Sequence, residues 1–362
     1  MTAPGVEGLL AAELTSLGIA VSDTVSGGVV FTGGLAHIQR ANLWSRLANR
    51  VIVRVAEFHA STFHELERRA KRIDWSRYVA PGQPVRFRVT CRKSKLYHSD
   101  AVAARLLKAS GGVSAAPIAE DDEEDGSAQL FVVRIADDEC TISADSSGEL
   151  LHRRGYRKAV AKAPLRETLA AAMIAGSEWD PSVPLVDPMC GAGTIAIEAA
   201  MIARKIAPGS QRSFAFEKWP AHNVEKWDVM LANARGGVLT AAQAPIIASD
   251  RDAGAIAATI ANAERAGVSA DIEVSECAVS GAGYPQPPGW IVTNPPYGMR
   301  VGESGPLRNL YAQLGRIVRD QAPGYRLAML SADPELESQL KLDLEEAFRT
   351  SNGGIPVRLV LG

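Results

Sequence analysis

The chain has little cysteine: Cys91, Cys140, Cys190 and Cys277 are the only four in 362 residues, and no two form a CxxC pair. Neither a disulfide framework nor a thiolate metal site is therefore indicated. It also lacks any apolar run near the roughly 20 residues that a bilayer-spanning helix needs. No basic residue precedes the first apolar stretch, where Glu7 stands instead, so an export signal is not expected. These absences predict a soluble protein of a reducing cytoplasm, with no membrane and no metal among its partners. Internal repeats and low-complexity segments are missing too, and 46% of the residues are apolar, which excludes disorder, collagen and coiled coil as whole-chain descriptions. At roughly 100–200 residues per domain, the length predicts two or three domains.

The net charge of −2 is an average over unlike segments: residues 1–110 carry +8, residues 111–150 carry −10 and residues 151–362 are neutral. Positive charge gathers in Arg68, Arg69, Lys71, Arg72 and Arg77, and again in Arg86, Arg88, Arg92, Lys93 and Lys95. Such a density can neutralise phosphates. A solvated helix followed by an exposed strand would carry the same residues, so charge alone leaves contact with nucleic acid open. The acidic run 120–125 reads as a self-repelling surface loop.

Apolar spacing predicts helices over 5–18 and 35–49, a short strand over 29–31, and a β-rich run over 51–58. An amphipathic helix over 62–73 leads to a strand over 84–89, whose alternation of apolar and basic residues marks one wet, positive face. A helix over 99–109 and strands over 130–135 and 140–144 complete an α+β half of two subdomains. From 151 onward, helices over 164–176, 193–206, 252–266, 306–320 and 333–341 alternate with strands over 184–187, 245–249, 272–276, 290–293, 325–330 and 355–361. That alternation predicts an α/β, Rossmann-like doubly wound sheet, which binds ligands at the carboxyl ends of its strands. Residues 207–243, with Phe214, Phe216, Trp219 and Trp227, occupy a place where a short connection would suffice and read as an insertion.

Chemistry concentrates in three segments. Leu185-Val186-Asp187-Pro188-Met189-Cys190-Gly191-Ala192-Gly193-Thr194 is a short strand ending in an acid, then a glycine turn, then a helix start, where a ligand can approach the backbone. Ile246-Ile247-Ala248-Ser249-Asp250 is a second acid-tipped strand, able to accept from both hydroxyls of a ribose. The turn lacks the third glycine of the dinucleotide fingerprint, which favours a cofactor with one nucleoside. Helix capping is the plainer role for Asp187 and Asp250. In Gly289-Trp290-Ile291-Val292-Thr293-Asn294-Pro295-Pro296-Tyr297-Gly298, a buried strand delivers Asn294 to the sheet edge and two prolines hold the next backbone extended. The Asn294 side-chain oxygen and the Pro295 carbonyl can each accept one N–H of an exocyclic amine, while Tyr297 offers a face to its planar ring. A turn with a capping Asn is the alternative.

Asp187 to Thr194 and Asn294 to Tyr297 resemble the cofactor and amine motifs of class I S-adenosylmethionine-dependent methyltransferases. Leu151-His152-Arg153-Arg154-Gly155-Tyr156-Arg157, Ala163-Pro164-Leu165-Arg166-Glu167, Phe216-Glu217-Lys218-Trp219-Pro220 and the stretch from Val89 to Ser99 further resemble the THUMP-containing RNA guanine-N2 methyltransferases, over nearly the whole chain. The resemblance implies a ferredoxin-like segment over 1–55, a THUMP RNA-binding domain over 56–150 and a catalytic domain over 151–362. It implies that Asp187, Gly191 and Gly193 border the methionine part of S-adenosylmethionine, Asp250 its ribose, and Ala163, Pro164 and Leu165 its carboxylate end, with Pro188, Cys190, Thr194 and Arg251 also binding the cofactor. Asn294, Pro295, Pro296 and Tyr297 would hold a guanine amine. Arg86, Arg88, Arg92, Lys93, Lys95 and His98 would meet rRNA or tRNA. Where the family has an acid or amide for the adenine amine, this sequence has Ala278, which leaves Glu276, Cys277 or the backbone for that contact. The start of the chain suggests that an opening strand of the relatives is missing. With no second methyltransferase half expected, one methylation activity is expected, from a monomer. Adenine-N6 methylation of RNA or DNA, and a non-catalytic RNA-binding or ribosome-assembly factor, are the alternatives.

Overall fold

The computed structural model describes residues 1–114, 128–158, 165–297 and 304–362. The acidic run and the Ala163-Pro164 pair lie outside these residues. The chain opens with α1 (Glu7–Ser16), β1 (Val21–Val25), β2 (Gly28–Phe31) and α2 (Leu35–Trp44). β1 and β2 form an antiparallel pair. Sequence periodicity misses β1 because its five residues are mostly exposed and polar. α2 ends at Trp44, five residues short of expectation, although Leu47 and Ala48 are still buried. The chain turns at Ser45, whose hydroxyl donates to Glu13 on α1, and the apolar pattern continues through a loop.

The second unit contains β3 (Ile52–His59), α3 (Phe63–Ala70), β4 (Pro84–Arg92), α4 (Ser99–Ser110), β5 (Val113–Ser114), β6 (Gln129–Ala136) and β7 (Glu139–Asp145). Its sheet runs β3-β7-β6-β4-β5, with β4 parallel to both β6 and β5. Thr62 caps α3 by accepting from the Glu65 amide, as its type and position favour. Leu66, Val102 and Leu106 from the helices share one core with Phe131, Val133 and Ile135 from β6. The division expected at 55/56 falls inside β3, so that whole strand goes with this sheet.

The third unit contains α5 (Glu167–Ser177), β8 (Leu185–Asp187), α6 (Thr194–Ala203), α7 (Val224–Gly236), β9 (Ile246–Asp250), α8 (Ala253–Ala266), β10 (Ile272–Glu276), β11 (Gly289–Thr293), α9 (Ser304–Arg316), β12 (Tyr325–Ser331), α10 (Pro334–Ser338), β13 (Glu345–Asn352) and β14 (Ile355–Leu361). Strand order is β10-β9-β8-β11-β12-β14-β13, parallel through β12 and antiparallel beyond it. The chain moves outward from β8 to β10 and then returns to β11, so the direction of winding switches between β8 and β11. A ligand crevice is expected at that switch. β13 is an edge strand with an exposed, charged pattern beginning Glu345-Glu346, which hides it from a search for apolar alternation.

Residues 207–243 join the units. Phe214, Phe216, Trp219 and Trp227 are buried, the Trp219 indole donates to Gln129 Oε1 at 2.8 Å, and Tyr78 meets the Trp219 ring edge-on at 5.2 Å. Arg212 donates to the carbonyls of Glu149 and Leu150 at 2.6 and 2.7 Å. Below the third unit, Arg46 donates to the Ile206 carbonyl at 2.6 Å, beyond the end of α6, and Tyr156 donates to Glu198 on α6 at 3.1 Å. The N-terminal unit thus grips the helix whose first turn follows the glycine loop.

Candidate active site

The carboxyl ends of β8, β9 and β11 converge. Asp187, ending β8, is 1% exposed and accepts from the Thr293 hydroxyl at 2.9 Å and the Met189 amide at 3.3 Å. Burial pushes its carboxyl up to about 7, held back by the Thr293 bond and raised further by the charge of Asp250. The Thr293 bond ties the residue before Asn294 to the first acid-tipped strand, across 106 positions of sequence.

Asp250, ending β9, is half-buried and accepts from the Gly191 amide and from the Asp252 amide, both at 3.0 Å. Neither Asp187 nor Asp250 is a helix cap: α6 starts after Gly193, and α8 is capped by Asp252. The glycines of the turn differ in purpose. Gly191 has φ +54° and open space where a Cβ would stand, so a ligand can approach its backbone. At Gly193, φ is +79° and a Cβ would come within 2.7 Å of the Thr259 side chain, so packing against α8 demands glycine there. Thr259 also donates to the Gly191 carbonyl at 2.9 Å, and Asn262 to the Ala192 carbonyl at 3.1 Å. These α8 residues brace the turn and give no sequence signal beyond helix periodicity.

β11 is fully buried and ends at Thr293, which leaves Asn294 on the rim. Asn294 Oδ1 is shielded from water and has no hydrogen-bond partner among the described residues. Leaving an amide oxygen so costs about 1–3 kcal/mol, which a donor on a bound group would relieve. Pro295 is buried, Pro296 is exposed and Tyr297 is half-buried. Asn352, at the tip of the β13–β14 hairpin, donates to the Tyr297 hydroxyl at 2.5 Å. Burial raises the Tyr297 phenol, partly offset by that bond, so it stays protonated. In the sequence, Asn352-Gly353 signals only a hairpin turn and not a contact with Tyr297.

Pro188, Cys190 and Thr194 are buried around the turn, and burial raises the Cys190 thiol far out of its reactive range. The Cys277 amide donates to the Asp250 carbonyl at 3.0 Å, which sets Glu276, Cys277 and Ala278 beside the second acid, with Glu276 and Ala278 exposed. Arg251 is exposed next to Asp250, and Leu165 is buried just ahead of α5. Ala163 and Pro164 lie outside the described residues.

The basic residues sit on the other sheet. Arg86, Arg88 and Arg92 share one face of β4, and register brings exposed Arg134 of β6 onto that face beside Thr90. Arg134 stands alone in an apolar strand and so gives no charge signal in the sequence. The following loop is pinned by Asp138, which accepts from the Ser94 hydroxyl at 2.7 Å and the Lys95 amide at 2.8 Å. It presents Lys93, Lys95, Tyr97 and His98 to solvent, with Tyr97 69% exposed and its ring 4.1 Å from that of His98. Among the described residues, no helix is long and apolar enough to cross a membrane and no group of three or more His, Cys, Asp or Glu could hold a metal ion.

A family model described as RMKL-like, methyltransferase domain, matches residues 154–360, and one described as RlmL ferredoxin-like domain matches residues 1–52. A putative RNA methyltransferase of Synechocystis sp. is 34% identical over 361 residues, covering 99% of this chain and 94% of the relative. A ribosomal RNA large subunit methyltransferase K/L of Syntrophotalea carbinolica is 37% identical over 382 residues, covering 99% of this chain and 52% of the relative, so the chain spans about half its length. The solved structure of SMU.472, a putative methyltransferase complexed with SAH, superposes with a TM-score of 0.86 at 29% identity, covering 99% of this chain and 96% of that one.

Proposed function

The chain belongs to the RMKL-like methyltransferase family, and from that premise we propose that it transfers a methyl from S-adenosylmethionine to the exocyclic N2 amine of a guanine in rRNA or tRNA. The observation that carries the reading is the Asn294 loop: a shielded, unpartnered amide oxygen tied through Thr293 to an acid-tipped strand. The residues present fit the cofactor. Open space over Gly191, the carboxylate of Asp250 and the edge formed by exposed Glu276 and Ala278 with half-buried Cys277 suit a nucleoside, and the buried Asp187 carboxylate suits its cationic end. When bound, the cofactor supplies an electrophilic methyl group.

This chain's residues then bind and orient. Asn294 Oδ1 and the Pro295 carbonyl each accept one hydrogen of the guanine amine, which favours the pyramidal nitrogen that attacks carbon. Tyr297 offers its ring to the base. No strong general base is needed, because the nitrogen sheds its proton after the new bond forms. A guanine paired in a duplex has to be unstacked to reach this loop. We assign RNA binding to a THUMP-like unit that takes in the whole of β3 from Ile52 and runs to 150, through Arg86, Arg88, Arg92, Lys93, Lys95 and His98, with a ferredoxin-like segment before it and the catalytic domain over 151–362. A cytoplasmic monomer completes the reading.

Mass spectrometry of nucleosides from rRNA and tRNA tests it. Deleting the gene is expected to remove one N2-methylguanosine; loss of N6-methyladenosine instead would transfer the same clamp to adenine. Asn294→Ala should lower kcat by at least 100-fold while leaving affinity for S-adenosylhomocysteine within twofold. Methylation at the wild-type rate would reject the clamp.

A further inference from the structure

Asn352 faces two ways. It holds the Tyr297 hydroxyl, and it also lines a cleft of about 200 Å³ between the β13–β14 tip, the first turn of α5 and the N-terminal unit. Arg166, Thr168 and Asn49 stand in the walls, and among the described residues no acidic side chain does. Arg166 is exposed and makes no hydrogen bond or ion pair among the described residues. Asn49 accepts from the Thr168 hydroxyl at 2.9 Å through Oδ1, which leaves its NH2 free to donate. A recess offering a guanidinium and a neutral amide donor, with no carboxylate to compete, selects an anion. Its volume lies below the roughly 300–1,000 Å³ of small-molecule sites, which suits one backbone group better than a nucleoside.

We propose that this cleft holds the phosphodiester adjoining the target base, with Arg166 as its cation and Asn49 as a second donor. A base lying against Tyr297 has its sugar and phosphate emerging at the edge of that ring, and the ring's hydroxyl is bonded to the cleft wall. The target nucleotide is then held at two points, the amine by the Asn294 loop and the backbone by Arg166. The N-terminal unit contributes to the catalytic site itself, since Asn49 precedes every element of the third unit. The inference rests on the RNA reading above.

Total RNA from a strain deleted for the gene, with labelled S-adenosylmethionine, is the probe. Arg166→Gln should lower kcat/KM for RNA about tenfold and reduce the slope of log affinity against log salt by about 1. Arg166→Lys should keep the slope, and both variants should bind S-adenosylhomocysteine within twofold of wild type by calorimetry. Because Lys and Gln differ in charge and both are polar and of similar length, a general folding defect would not separate them. A tenfold loss of S-adenosylhomocysteine affinity with the RNA slope unchanged would overturn the proposal and give the guanidinium to the cofactor's carboxylate. Wild-type RNA kinetics and salt slope in Arg166→Gln would overturn it outright. A wild-type protein that places no methyl on RNA would instead refute the RNA reading on which it rests.

Discussion

Asp187 is a carboxylate whose charge burial disfavours, and Asp187→Asn separates what it costs from what it contributes. In the unfolded chain its carboxyl has the ordinary aspartate value of 3.8, and in the folded protein burial pushes it up to about 7. The folded state therefore binds the extra proton between those values. Stability falls as pH rises from about 4 to about 7, and the penalty is complete above 7. At 1.36 kcal/mol per unit, the full penalty is about 4 kcal/mol. Asparagine keeps an acceptor for Thr293 and Met189 and carries no charge, so Asp187→Asn should melt several degrees above wild type at pH 8 and show a much smaller advantage at pH 5. Cofactor binding should move the opposite way. With a pKa near 7, only about one molecule in ten has Asp187 ionised at pH 6, so wild-type affinity for a cationic S-adenosylmethionine should rise about tenfold from pH 6 to pH 8. The variant should lack that rise, because titration of the ligand itself is common to both proteins. Melting curves and calorimetry over pH 5–8 make the test. A variant no more stable than wild type at pH 8, with an unaltered pH dependence of affinity, would refute the assignment of a buried, functional carboxylate.

Two further outcomes are expected. Replacing Lys93 and Lys95 with Gln should reduce the salt slope of RNA binding by about 0.7–0.9 per residue, whereas Tyr97→Ala should cost about 1–3 kcal/mol of affinity through lost stacking and leave the slope alone; identical slopes in both variants would remove the loop from the RNA footprint. Asn352→Ala should lower kcat/KM about fivefold to tenfold in the wild-type background and have no added effect on Tyr297→Phe, since it acts through the phenol. Additive losses would show that Asn352 acts elsewhere.

Much of the site could be read directly from the chain. Asp187, Gly191, Gly193, Asp250 and Asn294 stand at strand ends or in a glycine turn, where local pattern announces the element and its end. The parallel strands of the third unit were legible because each is buried on both faces and so apolar throughout. β1 and β13 were not, because a strand exposed on one side or at an edge needs no apolar pattern. The aromatic stretch 207–243 showed as an insertion, but its task of clamping two units through Trp219 and Gln129 depends on residues 90 positions apart.

Sequence alone thus determined the element types, the acid-tipped strands and the Asn-Pro-Pro turn that follows a buried strand, because short-range sterics and burial period write themselves into adjacent residues. Only the tertiary structure decided that Thr293 bonds Asp187, that Asn352 holds Tyr297, that Arg134 joins the basic face and that Asn49 meets Arg166 in one cleft. These contacts join residues brought together by strand order and hairpin register, and pairing over such separations leaves no mark in the local pattern of either partner.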